Sequence, residues 1–133
     1  MSEVTIPIEV EKAYGRYDKV VRDRLIEVRR LIFDVAAETD GVGALTETLK
    51  WGEPAYLTEE SKSGTTIRLG ETKQGEPAVF FNCRTTLVES FRERFPDDFR
   101  YDKNRALIMD LNRPVAEAPL AMCLKAALTY HRR

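Results

Sequence analysis

The sequence predicts an α+β fold: a two-layer sandwich, with a long N-terminal helix and a C-terminal helix packed on one face of an antiparallel sheet of about four or five strands. Three observations predict it. An apolar stripe at helical spacing runs through "VVRDRLIEVRRLIFDV". The middle of the chain then changes to short β-rich runs with no crossover helix between them, which favours antiparallel neighbours. Helical spacing returns towards the carboxyl end.

In chain order, "TIPIEVEKAYG" opens with a short helix, capped by Thr5, with Pro7 early where its missing N–H costs little and Gly15 at its end. The strongest periodic signal follows. Val21, Leu25, Val28, Ile32 and Val35 step by four and three, and Val20 and Leu31 widen the stripe. Asp18–Arg22, Lys19–Asp23 and Arg30–Asp34 place opposite charges four apart. This is an amphipathic helix of about 20 residues, or about 30 Å, ending near "ETDGVG" where glycines turn the chain. "LTETLKW" alternates weakly. "TTIRLGE" puts Ile67 and Leu69 on one side and Thr66 and Arg68 on the other, after a hairpin turn in "ESKSG". "AVFFNC" is a third strand, entered from the loop "TKQGEP". A second helix in "TTLVESFRERF" spaces Leu87, Phe91 and Phe95 by four, with Thr86 and Glu89 in a capping-box pattern. "RALIMDL" reads as a strand, and the last helix sets Leu120, Leu124, Ala127 and Leu128 on one face.

Composition bounds the function. The 133 residues fit one domain, 1–133, with no repeat or linker. Lys and Arg number 21 against 22 Asp and Glu, a net charge of -1, so a nucleic-acid partner is not expected. No apolar run approaches the roughly 20 residues that span a bilayer, so no membrane partner is expected. "MSEVTIPIEVEK" does not read as a signal peptide. Cys83 and Cys123 are too few for a disulfide framework, and reduced thiols in the cytoplasm are the simplest reading.

Catalytic and metal sites are scarce. His131 is the sole histidine, and the dipole of a terminal helix accounts for a cation there. One histidine and two distant cysteines cannot make a structural zinc site, and no phosphate-binding glycine loop is present. No metal, cofactor or catalytic residue is assigned. Asp97, Asp98 and Asp102 around "PDDFRYD" offer oxygens for a hard cation, or simply a solvated loop.

"FFNCRTTLVES" is richer: a strand runs straight into a helix start, where free N–H groups attract anions. Asn82, Arg84, Thr85 and Thr86 add donors, and Cys83 lies just before that positive end. The plainer account makes Thr86 a cap, Asn82 a turn residue and Cys83 a small hydrophobe. "TLKWGEPAY" holds the only tryptophan, with Gly52 allowing tight geometry and Pro54 fixing the turn that leaves it. Trp51 and Tyr56 each pair an apolar body with a polar tip. If the indole lies beside the strand end at Asn82, Arg68 and Arg105, each in a strand, project into the same space. The rival reading plugs Trp51 into the core against the long helix.

"TLKWGEPAY", "TTIRLG", "VFFNCRTTLVESFRERFP", "NRALIMDL" and "LKAALTYHR" together resemble the YdhG-like domain family, whose function is largely unknown. Trp51, Gly52 and Pro54 match its Trp-Gly-x-Pro pattern, the most specific part. The resemblance implies a small α+β fold like that of frataxin and, from relatives described as iron chaperones, an iron-binding option through acids of the first helix. Here that helix carries Lys19, Arg22, Arg24, Arg29 and Arg30 among its acids, and basic neighbours oppose a cation. The expectation is a non-enzymatic binding domain for a small anionic ligand or a protein partner, through Trp51, Tyr56, Arg68, Asn82, Arg84, Thr85 and Arg105. Iron binding and a Cys83-dependent enzyme are the alternatives, and an exposed aromatic is equally consistent with a homodimer.

Overall fold

The structure is a computed structural model and describes residues 5–132. Helix α1 spans Ile8–Tyr14, with Pro7 at its N-terminal boundary and no side-chain cap, so Thr5 lies outside its expected role. Helix α2 is Lys19–Glu38, 20 residues, and buries Val21, Leu25, Val28, Ile32 and Val35 as the spacing requires. Val20 departs from the stripe and is exposed. Of the three charge pairs on this helix, Lys19–Asp23 forms, at 2.6 Å.

Six strands follow: β1 (Thr46–Lys50), β2 (Glu53–Leu57), β3 (Ile67–Glu71), β4 (Pro77–Phe81), β5 (Arg100–Asp102) and β6 (Ala106–Ile108). They form one antiparallel sheet in the order β1-β2-β3-β4-β6-β5. The count exceeds expectation for two reasons. "GEP" reads as a turn in the sequence, yet Trp51 and Gly52 alone make it, and Pro54 already pairs with Leu49. Pro54 is tolerated because the β2–β3 pairing begins only at Ala55, where an N–H is first needed. β5 has three residues, too few for a period to show.

Helix α3 (Leu87–Arg94) follows β4, and α4 (Glu117–Leu128) ends in a 3-10 turn, Tyr130–Arg132. The capping box does not form. Thr86 makes no side-chain cap bond, and the Thr85 hydroxyl accepts the Leu87 N–H instead, at 3.4 Å. At the other end of α3 the Phe95 N–H closes on Phe91 O, and the Tyr101 hydroxyl donates to the Phe95 carbonyl at 2.7 Å, a group past the helix end that the helix leaves open.

Strand alternation decides the layers. Tyr56, Ile67, Val79 and Leu107 share the face that meets the helices, where α2 packs on β3, β4 and α4. Ile32, Leu25, Leu69, Leu120 and Leu124 are fully buried there. Each such side chain contributes roughly 1.5–3 kcal/mol of hydrophobic stabilisation. The opposite face carries the row Ala55, Arg68, Phe80, Ala106 and Asp102, one residue from each of five strands.

One polar network sits inside the helix layer. Arg29 of α2 donates from Nε and Nη2 to both oxygens of Glu47 on β1, at 2.5 and 2.8 Å. Tyr56 donates to Glu47 Oε2 at 2.8 Å, which leaves Tyr14 of α1 as the donor in its 2.5 Å contact with Tyr56. Phe33 lies beneath the guanidinium, 4.8 Å from its carbon, and edge-on to Tyr56. Four elements are tied together by one carboxylate.

Candidate functional site

The turn between β1 and β2 consists of Trp51 and Gly52, with φ of 57° and 76°. Two left-handed residues in succession give the tight hairpin whose twist matches its strands. Glycine adopts this freely, whereas a bulky side chain resists it. Arg16, just past α1, donates to Gly52 O at 2.8 Å and anchors the turn. Trp51 is 90% exposed. The core-plug reading therefore fails.

Trp51 and Lys50 stand on one side of a groove of about 490 Å³ on the open sheet face. Arg68 and Phe80 line it from neighbouring strands, and Asn82, Cys83 and Arg105 close the far side. Of the residues singled out in the sequence, Trp51, Arg68, Asn82 and Arg105 line this groove. Arg105 lies in the turn between β5 and β6, one residue before the strand assigned to it.

Three expected members are elsewhere. Tyr56 is fully buried on the helix side, because strand alternation turns it away from Ala55 and its hydroxyl has partners inside. Burial, reinforced by Tyr14 and Glu47, holds its proton far above the ordinary phenol value. Arg84 and Thr85 do not line the groove. Their N–H and hydroxyl bond back to Asn82, at 2.9 Å to Oδ1 and 2.8 Å to the backbone O, and so build the turn into α3. Asn82 is both a turn residue and a wall of the groove.

Phe80 and Lys50 were missed, although a period of two in "AVFFNC" places Phe80 on the face opposite Val79 and Phe81. Glu53 was missed because it was assigned to a turn. Its Oε1 accepts from Arg68 Nε at 2.5 Å, and the Arg68 guanidinium lies 4.9 Å over the Phe80 ring. Gly70 makes room for this, since a Cβ there would meet Glu53 Oε2 at 2.4 Å. Arg105 pairs more loosely with Asp102, at 3.3 Å.

The alternatives fare less well. Among the described residues no three Asp, Glu, His or Cys side chains gather to hold a metal. Asp102 pairs with Arg105, and Asp97, Asp98 and Asp102 form no such group. Cys83 is an exposed free thiol, and among the described residues no hydrogen bond joins it to His131, which lies in the 3-10 turn with its backbone N–H donating to Ser63 O at 2.8 Å. Cys123 is free and buried, and burial pushes its thiol up to about 12. Among the described residues no helix is long and apolar enough to cross a membrane.

No protein-family model matches the chain, and no curated protein does. A solved structure is similar: a protein from the DUF1801 family, YdhG of Bacillus subtilis, with a TM-score of 0.57 at 19% identity. The match covers 90% of this chain and 89% of that one, so the likeness extends over nearly the whole fold. The chain folds as a YdhG-like domain.

Proposed function

We propose that this chain is a non-enzymatic binding domain whose groove beside Trp51 takes a small anionic ligand. One observation carries the reading: the only tryptophan is 90% exposed on an anchored turn in a left-handed conformation. A bulky residue held there costs stability and adds exposed apolar surface, and such strain concentrates where binding requires it. The groove is lined by the cations Lys50, Arg68 and Arg105, the two arginines each paired through Nε with a carboxylate outside the lining, Glu53 and Asp102. It is an open groove with an apolar rim and a few convergent donors.

A protein partner, a second copy included, is the other reading, favoured by how far the indole stands clear of its neighbours. The cytoplasm fits two unpaired thiols.

The sole tryptophan reports on its own site. Titrating the protein with citrate, phenyl phosphate and benzoate, beside phenol and benzamide, should give saturable fluorescence changes with the anions only. A flat response to every anion from a folded sample, as judged by circular dichroism, overturns the reading.

A further inference from the structure

Resting on that reading, we infer that Arg68 is the residue that selects the ligand, and that it selects a carboxylate or phosphate monoester gripped by the two terminal nitrogens of its guanidinium. The groove holds three cations, and they are not equivalent. Lys50 presents a point charge on a flexible stem. Arg105 lies in a turn, its side chain 60% exposed, with a single Nε bond to Asp102 at 3.3 Å. Arg68 is built differently.

Its Nε is bound to Glu53 at 2.5 Å, and its plane rests on Phe80. Glu53 is itself seated over Gly70, a position any side chain would obstruct. The guanidinium is therefore fixed at one edge and on one face. Nη1 and Nη2 have no hydrogen-bond partner among the described residues, and the side chain keeps 30% of its surface exposed while lining the groove. A guanidinium offers its donors in a rigid fork that matches two oxygens of one carboxylate or phosphate. Holding the fork in place beforehand lowers the entropy lost on binding. Glu53 occupies only Nε, so it positions the fork without filling it.

Substitution to lysine keeps the charge and removes the fork. We expect Arg68→Lys to bind phenyl phosphate and benzoate about tenfold more weakly or worse, as loss of a charge-assisted pair implies. Arg68→Gln should lose as much, so that lysine does not rescue it, and Arg105→Lys should lose distinctly less. Thermal unfolding by circular dichroism checks that each variant is folded. Benzoate and phenyl phosphate, run separately, show which oxyanion the site prefers. If wild type binds the probes and Arg68→Lys binds them as well as wild type does, the assignment to Arg68 is overturned while the groove stands. If wild type binds neither, both fall.

Discussion

Arg29 with Glu47 and Phe33, and Arg68 with Glu53 and Phe80, are the same three residue types in the same arrangement on opposite faces of one sheet. In each, a glutamate holds the guanidinium edge at Nε and an aromatic ring supports its face. On the helix side Arg29 is gripped twice, and the two side chains are only 7% and 6% exposed. Burial works against its charge, but the bond to Glu47 outweighs this and keeps the guanidinium protonated. On the open face Arg68 is gripped once, and the pair is 30% and 25% exposed. What separates a structural ion pair from a receptor here is whether a layer of helices lies on top. A buried pair must satisfy every donor internally, whereas an exposed one can leave donors for a ligand.

That contrast can be broken by mutation. The largest effect is expected from Glu47→Ala, which strands a buried guanidinium and should cost about 3–5 kcal/mol in urea denaturation. Replacing both partners by apolar residues, Arg29→Met with Glu47→Leu, should recover most of it. A small loss in the single variant would mean that the network is not a sealed unit.

Alkaline pH probes the same layer. Burial raises the phenols of Tyr14 and Tyr56 far above the ordinary value of 10.0, and that of Tyr17 to about 12. A raised pKa means the folded state keeps a proton the unfolded state gives up. The stability it supports is complete below pH 10 and is lost as pH rises towards and beyond 12. Urea midpoints measured from pH 8 upwards should fall past pH 10, and Tyr56→Phe should lessen the fall. A level profile would count against tight burial of these hydroxyls.

Two smaller effects sharpen the open face. Trp51→Asn puts a residue tolerant of the left-handed region into the turn and should raise stability by about 1 kcal/mol, followed by circular dichroism. Lower stability would show that the indole packs where the structure leaves it free. Glu53→Ala should cost no more than about 1 kcal/mol, as half-exposed pairs do. A loss equal to that of Glu47→Ala would erase the distinction between the two faces.

Much of this was readable from residues in order. The four-and-three spacing of α2, the apolar face of α4 and the alternation around Ile67 and Leu69 are local patterns, and each imposed its own element. The proximity of Trp51 to Asn82 is one of two placements the residues left open, the other being the core. Other features were hidden. β2 was masked by Pro54, a residue that argues against strands until its place ahead of the β2–β3 pairing is known. Tyr56 was misplaced because its partners, Glu47 and Tyr14, lie 9 and 42 positions away, beyond any periodic signal.

By itself the sequence determined which side chains share a face, since the periods of helix and strand are properties of the backbone. Only the tertiary structure decided how deep each face lies. All the packing helices settle on one side, so Tyr56 and Arg29 were closed in while Trp51 and Arg68 were left at the surface. Period sorts residues into sides, but depth depends on what comes to rest against them from elsewhere in the chain.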